Sequence, residues 1–237
     1  MKTGFGPALL IALGLAAAGW LGGQGYVKGK TADRYVSVKG LAEREVTADV
    51  AFWPLRYVAT DDQLARAQGS IESSRQTVLA FLDTHGIPPE AVEVSFLEVQ
   101  DKLANAWGNN NPTGGRYVIN QTLMVNTENV DAVRAASQDV GSLVKQGVVL
   151  GGTYGGPTYL FRGLNDLKPG MIGEATASAR EAAEKFAHDS GARLGGIRTA
   201  NQGVFQILPR DRAPGVSEEN QLHKVVRVVS TVEYTME

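Results

Sequence analysis

Residues 168–191 read KPGMIGEATASAREAAEKFAHDSG, and this stretch decides how the rest of the chain can be arranged. Pro169 suits the first turn of a helix, and Gly191 can adopt the left-handed conformation that ends one. Apolar residues recur between them at three- and four-residue spacing, which predicts one buried helix face: Ile172, Ala175, Ala179, Ala182 or Ala183, and Phe186. Because alanine dominates this face, we expect the helix to lie close against a sheet.

The remaining elements alternate between pairs of strands and single helices. After residue 34 the periodicity predicts the order β-β-α-β-β-α-β-α-β-β, with the first two helices near 60–85 and 128–146. Helices separated by pairs of strands favour an α+β fold with largely antiparallel sheets, preceded here by an N-terminal hydrophobic helix. The predicted boundaries follow the composition: a signal or membrane-anchor segment at 1–27, a linker at 28–34 and an α+β domain at 35–236.

The first part of the chain has the composition of an export or membrane segment. Residues 5–23 contain no charged side chain and follow Lys2. They could form a signal peptide cleaved after the alanines at 16–18, or a retained anchor of nearly spanning length. Because no polar residue lies between these alanines and Gly22, we expect a single-pass anchor in the inner membrane with a periplasmic body. Secretion to the periplasm after cleavage is the alternative. Three basic residues after the segment would by themselves favour a cytoplasmic body: Lys28, Lys30 and Arg34.

One predicted strand carries large apolar groups on both of its faces. In the run 45–59 the apolar face switches after Phe52, and Trp53, Leu55 and Tyr57 share the opposite face. A sheet covered by helices on one face leaves some of these groups without an internal cover. We therefore predict that Phe52, Trp53, Leu55 and Tyr57 form an interface between copies of the chain. The alternative is a bulge that directs them into the core of one chain.

The residue types that carry most enzyme chemistry do not occur in a recognisable arrangement. The chain has no cysteine, a net charge of −2 and three scattered histidines, His85, His188 and His223. The glycine-rich residues 151–157 end in Pro157, where a phosphate-binding loop needs Lys followed by Ser or Thr. We therefore predict no catalytic, cofactor-binding or metal-binding residues. The net charge also provides no basic footprint for nucleic acid.

Several short motifs together resemble those of the SIMPL-domain family of bacterial envelope proteins, across roughly residues 34–236. The motifs are RYVSVKG at 34–40, YLF at 159–161, LND at 164–166, EATASAR at 174–180, GVFQI at 203–207 and a C-terminal valine-rich strand. The resemblance implies an α+β fold of two intertwined subdomains, export, self-assembly into a ring-like oligomer and a loose association with oxidative or envelope stress. The family has no agreed catalytic residues, so the resemblance assigns none here.

These observations favour a non-catalytic, membrane-anchored cell-envelope protein that assembles with itself. Its expected partners are other copies of the chain and the inner membrane, reached through the N-terminal segment. A periplasmic small-ligand-binding module is the alternative, and it would require a concave pocket with a few converging polar groups. An enzyme would require a cluster of titratable groups with perturbed pKa values.

Overall fold

The computed structural model describes residues 5–32, 34–104, 115–152, 156–211 and 213–237, and within the first helix it describes the side chains of residues 11–26. The helices are α1 (Phe5–Ala32), α2 (Leu64–Thr84), α3 (Val130–Gln138), α4 (Gly141–Lys145) and α5 (Leu164–Asp189). The strands are β1 (Tyr35–Thr47), β2 (Val50–Asp61), β3 (Val92–Asp101), β4 (Tyr117–Thr127), β5 (Thr158–Leu160), β6 (Leu194–Gln202), β7 (Gln206–Pro209) and β8 (His223–Met236). The predicted α+β class is confirmed.

The strands form two sheets. One has the order β3-β4-β2-β5, and the other has the order β1-β8-β6 with β7 also pairing with β8. The β2–β4, β2–β5, β3–β4 and β6–β8 pairings are all antiparallel, as the sequence predicts. The chain thus builds both sheets from neighbouring hairpins and from strands distant in sequence.

The chain divides into two compact units that share it in alternating segments. Unit 1 consists of Met1–Arg44, Leu167–Gln206 and Arg227–Glu237, and unit 2 of Glu45–Asp166 and Ile207–Val226. As a result β1, α5 and β8 each contribute residues to both units. This division agrees with the expected pair of intertwined subdomains.

Two predicted elements have different boundaries in the structure. The helix predicted at 128–146 is broken into α3 and α4, because the chain turns at Asp139 and resumes at Gly141, a poor helix former. Asn129 caps α3, and its Oδ1 accepts a hydrogen bond from the Ala132 amide at 3.2 Å. At the N-terminus, α1 extends through most of the predicted linker at 28–34.

The run 45–59 is predicted as one extended segment, but the structure divides it into two strands. β1 ends at Thr47 and β2 begins at Val50. From Ala51 onward β2 pairs with β4 in an unbroken register that reaches Asp61, with no bulge. The two strand segments therefore have independent orientations, and β2 itself alternates regularly between a buried and a half-buried face.

Unit 1 is organised around the alanine-rich face of α5, as the sequence predicts. Residues spaced four apart are fully buried along it: Met171, Ala175, Ala179, Ala183 and Ala187. Phe186 was predicted on this face, but the structure leaves it 59% exposed because the buried stripe follows strict four-residue spacing. The helix also begins at Leu164, before the predicted start, so Pro169 lies inside it.

Gly40 of β1 is where α5 comes closest to the sheet. A Cβ at this position would collide with the Ala175 carbonyl oxygen and lie 2.5 Å from the Ala179 amide nitrogen. Arg44, four residues further along β1, forms an ion pair with Glu174 of the same helix. Only glycine at position 40 therefore permits this backbone-to-backbone approach.

We expect Gly40→Ala to lower the free energy of unfolding by about 3 kcal/mol, because the added methyl group must push the helix backbone away from β1. The matched control is Gly173→Ala on α5, where an added Cβ meets nothing within 4 Å. That change should stabilise the helix by up to about 1 kcal/mol. Urea unfolding of both variants tests the contact, and equal stabilities would contradict it.

Candidate functional site

The structure separates the four residues predicted as an oligomer interface. Trp53, Leu55 and Tyr57 lie on the buried face of β2 within the core of unit 2, with Trp53 only 4% exposed. Phe52 lies on the other face, half-buried, with the Arg162 guanidinium 5.9 Å from its ring centroid. Three of the four side chains are therefore covered by their own chain, which explains their apolar character without a partner.

Tyr57 shows how completely this face is enclosed. Its hydroxyl donates a hydrogen bond to Gln121 Oε1 at 2.9 Å, and both side chains are buried. Burial raises the pKa of Tyr57 well above its ordinary value, and the nearby Arg75 offsets only part of this rise. A buried phenol with a satisfied hydrogen bond is a structural group of the core.

A different strand, β3, presents the apolar surface that the sequence pattern suggested for β2. Register with β4 places Val94 opposite Leu123, Leu97 opposite Gln121 and Val99 opposite Ile119, on the sheet face that carries α2. Val94, Leu97 and Val99 are each at least half exposed. A groove of about 550 Å³ lies between Leu97 and Val99 and the α2 side chains, which include Leu64. We refer to Val94, Leu97 and Val99 as the β3 strip.

A bulge creates the β3 strip. The register of β3 against β4 shifts between Val94 and Phe96. Because an extra residue reverses the alternation of side chains, the apolar residues before and after the bulge lie on the same face. Simple alternation of the sequence VEVSFLEVQD would divide them between two faces.

The far end of β3 is held by an ion pair. Arg116 donates from Nε and a terminal nitrogen to the two carboxylate oxygens of Asp101, at 2.9 and 2.7 Å. The hydrogen bonds from Arg116 hold the pKa of Asp101 below its ordinary value. The ion pair therefore persists at neutral pH, and its contribution disappears as the pH falls through the lowered pKa of Asp101.

Unit 2 also contains a polar cavity of about 530 Å³. Arg134, Arg210 and His223 line it together with the ring of Tyr159. Burial raises the pKa of Tyr159 above its ordinary value, although a hydrogen bond with Ser137 and the charge of Arg134 oppose this shift. Two guanidinium groups and an imidazole give the cavity a chemistry that suits an anion.

Hydrogen bonds and ion pairs join the short chain segments that form the wall of this cavity. Arg210 forms an ion pair with Asp211 at 2.9 Å, and Gln221 exchanges two hydrogen bonds with the backbone of Asp211. Lys224 is fully buried, and its Nζ donates to the carbonyl and carboxylate oxygens of Glu218. The contacts of Lys224 fix the Glu218–Asn220 turn beside the cavity. Separately, the ion pair with Asp211 neutralises part of the cationic charge of the cavity.

Helix α1 exposes every large apolar side chain that is described on it. These residues are 60–71% exposed: Ile11, Leu13, Leu15, Trp20, Leu21 and Tyr26. The predicted segment at 5–23 begins with residues 5–10, whose side chains lie outside the described part of the chain. Across the side chains that are described, we find no helix long and apolar enough to span a membrane.

Within the described residues, no three His, Asp or Glu side chains are grouped as a metal site would require. The histidines remain separate. His85 lies 3.5 Å from Asp139, His188 lies 3.4 Å from Asp189, and His223 lies 3.4 Å from Thr47. The lowered pKa values of Asp61 and Glu72 have local causes, a backbone hydrogen bond from Gln63 and a side-chain hydrogen bond from Arg75 respectively.

We expect Trp53→Ala to lower the free energy of unfolding by about 3–5 kcal/mol, because it empties a buried site in the core of unit 2. Phe52→Ala, the control on the opposite face of the same strand, should cost about 1–2 kcal/mol because its ring is only half-buried. Denaturant unfolding measures both changes. A Trp53→Ala protein that dissociates from its neighbours without losing stability would contradict the placement of this residue in the core.

The comparisons with known proteins identify the family of the chain. A search of curated proteins gave no match. Among protein-family models, SIMPL, described as a protein of unknown function (DUF541), matches residues 36–234, which include both compact units except for the N-terminal helix and the last residues. Proteins of this family are generally periplasmic. The chain therefore belongs to the SIMPL family, which confirms the resemblance drawn from its short motifs.

Proposed function

We propose that this protein is a non-catalytic component of the bacterial cell envelope that is attached to the inner membrane by α1 and assembles with copies of itself in the periplasm. The observation that carries this proposal is the exposure of large apolar side chains on α1. Folding buries the apolar faces of α2 and α5, but it leaves those of α1 in contact with water.

The distribution of these side chains favours lipid over a single protein groove. Successive residues of a helix are offset by about 100°, so Ile11, Leu13 and Leu21 point to different sides of α1. A helix that docks on a protein surface needs only one apolar stripe, whereas a helix that is apolar on all sides favours a wholly apolar environment. Residues 5–23 also lack charged side chains.

Self-assembly is supported by the β3 strip. Isolated exposed apolar residues are common on soluble proteins, but a contiguous group beside a groove is typical of an interface. The ring-like form of the oligomer and the link to oxidative or envelope stress rest on the family resemblance alone. Both remain predictions.

The cavity beside Tyr159 supports a second candidate function, the binding of a small anionic ligand. Arg134, Arg210 and His223 converge on it, and its volume of about 530 Å³ falls within the range of small-molecule sites. Asp211 neutralises Arg210, which limits the expected affinity for anions. We therefore place this function behind self-assembly at the membrane.

Attachment through α1 predicts that Leu13→Lys combined with Leu15→Lys releases the full chain from the membrane, because each lysine costs about 2.5–3.5 kcal/mol at the centre of a bilayer. Both leucines are exposed in the folded chain, so the body should remain folded. Fractionation with alkaline carbonate extraction measures release. The matched controls are Leu13→Ala with Leu15→Ala on the same helix, and Val204→Lys at an exposed site outside it.

Two separate measurements test the proposed attachment further. An unmodified chain that is soluble in the periplasm, and whose intact mass corresponds to a chain that begins near Gly19, would establish secretion after cleavage and contradict the anchor. A reporter fused after Glu237 that functions only in the cytoplasm would establish the opposite orientation of the body.

The anion-binding candidate predicts that inorganic phosphate binds the full chain and that Arg134→Ala with Arg210→Ala weakens binding about tenfold or more, because charge-assisted hydrogen bonds are lost. Arg66→Ala, at an exposed arginine outside this cavity, is the control. Calorimetric titration measures the dissociation constants. The absence of heat from phosphate with the unmodified chain, or equal affinities for all three proteins, would remove this candidate.

A further inference from the structure

Strand β3 is an edge strand with features that favour pairing. It lies at the end of the sheet β3-β4-β2-β5, and no strand of the described chain pairs with its outer side. Its ten residues span about 33 Å, and nearly all of them are exposed. Long exposed edges that carry apolar side chains are ready templates for another strand.

All the charged side chains of β3 are acidic. Glu93 and Glu98 are exposed, and residues 92–100 contain no lysine or arginine. The third acidic residue of the strand, Asp101, is bound to Arg116 within the same chain. The part of the edge that remains available is therefore both apolar, through the β3 strip, and acidic.

Strand β6 is the complementary edge. It ends the order β1-β8-β6 of the other sheet, and its outer side also lacks a partner strand in the part of the chain that is described. Arg193 and Arg198 are exposed, and residues 193–202 contain no acidic side chain. The Arg198 guanidinium lies 4.7 Å from the ring centroid of Tyr35, the first residue of β1. Ile197 adds an apolar side chain that is 49% exposed.

We propose that β3 of one copy of the chain adds as a neighbouring strand to β6 of a second copy. This inference rests on the self-assembly proposed above and identifies the two surfaces that form the contact. Backbone hydrogen bonds between the two open edges hold the copies together, and apolar contact between the β3 strip and the side chain of Ile197 adds to them. Glu93 and Glu98 then lie against Arg193 and Arg198, which favours this pairing over others.

Charge disfavours the two symmetric alternatives. Pairing of β3 with a second β3 would place four glutamates along one ladder, and pairing of β6 with a second β6 would place four arginines there. Like charges opposite each other destabilise strand pairing. A contact between two different edges is heterologous, so each copy uses both, and repetition of the contact gives a ring when the rotation closes.

The test reverses the charge on each edge in the full chain, studied in a mild detergent. Glu93→Lys with Glu98→Lys makes both edges basic, and Arg193→Glu with Arg198→Glu makes both edges acidic. We expect each variant to raise the dissociation constant for self-assembly about tenfold or more, because like charges now meet. Light scattering coupled to size-exclusion chromatography measures the mass of the assembly.

Restoration of assembly is the decisive readout. A mixture of the two variants, and a single chain that carries all four substitutions, should each assemble as the unmodified chain does, because opposite charges face each other again. The control for net charge is Glu181→Lys with Glu184→Lys, at two exposed positions of α5. It should leave assembly unchanged, and circular dichroism checks that every variant is folded.

The outcomes separate this inference from the function on which it rests. An unmodified chain that is monomeric at all concentrations refutes self-assembly and this contact with it. An unmodified chain that assembles, with reversed-charge variants that assemble equally well, refutes the β3–β6 contact alone. Variants that dissociate but are not restored by mixing also refute it, because their loss then has a cause other than charge complementarity.

Discussion

The close approach of α5 to β1 is the constraint on which the packing of unit 1 depends. Gly40 has no side chain, and the facing residues Ala175 and Ala179 are small, so helix and strand meet backbone to backbone. Within unit 2, the Asp49 carboxylate accepts hydrogen bonds from the Arg162 and Gly163 amides at 2.8–3.0 Å, directly before α5 begins. The helix that organises unit 1 therefore starts from a loop that is fixed within unit 2.

Much of the fold could be predicted because periodicity reports which side of an element is buried. The alanine spacing of α5 and the apolar residues of α2 predicted helices that pack on sheets, and both helices are present. Periodicity is less informative about where an element ends. The strand break between Thr47 and Val50 and the helix break at Asp139 depend on local turns, which the apolar pattern continues across. Phe186 was misplaced because the predicted face admitted three-residue as well as four-residue spacing, whereas the buried stripe of α5 keeps a spacing of four.

The candidate interface was harder to predict for a physical reason. Large aromatic side chains such as Trp53 and Tyr57 signal burial, but a sequence does not distinguish burial in a core from burial against a partner. The β3 strip, by contrast, consists of smaller residues, Val94, Leu97 and Val99, and only a bulge collects them on one face. The exposed apolar side chains of α1 could be predicted more directly, because residues 5–23 contain no charged side chain. Function in this protein is thus proposed for the apolar surface that folding leaves uncovered.

Amide hydrogen exchange of the full chain in membrane vesicles tests this central claim most directly. If uncovered apolar surface serves attachment and assembly, the amides of Val92–Asp101 should exchange about tenfold or more slowly in concentrated, assembled samples than in dilute ones, because their outward-facing groups gain hydrogen bonds. The amides of α1 should be protected at every concentration, since lipid excludes water from the helix. Exchange in β3 that is fast and independent of concentration, together with exchange in α1 that lipid does not slow, would contradict the claim.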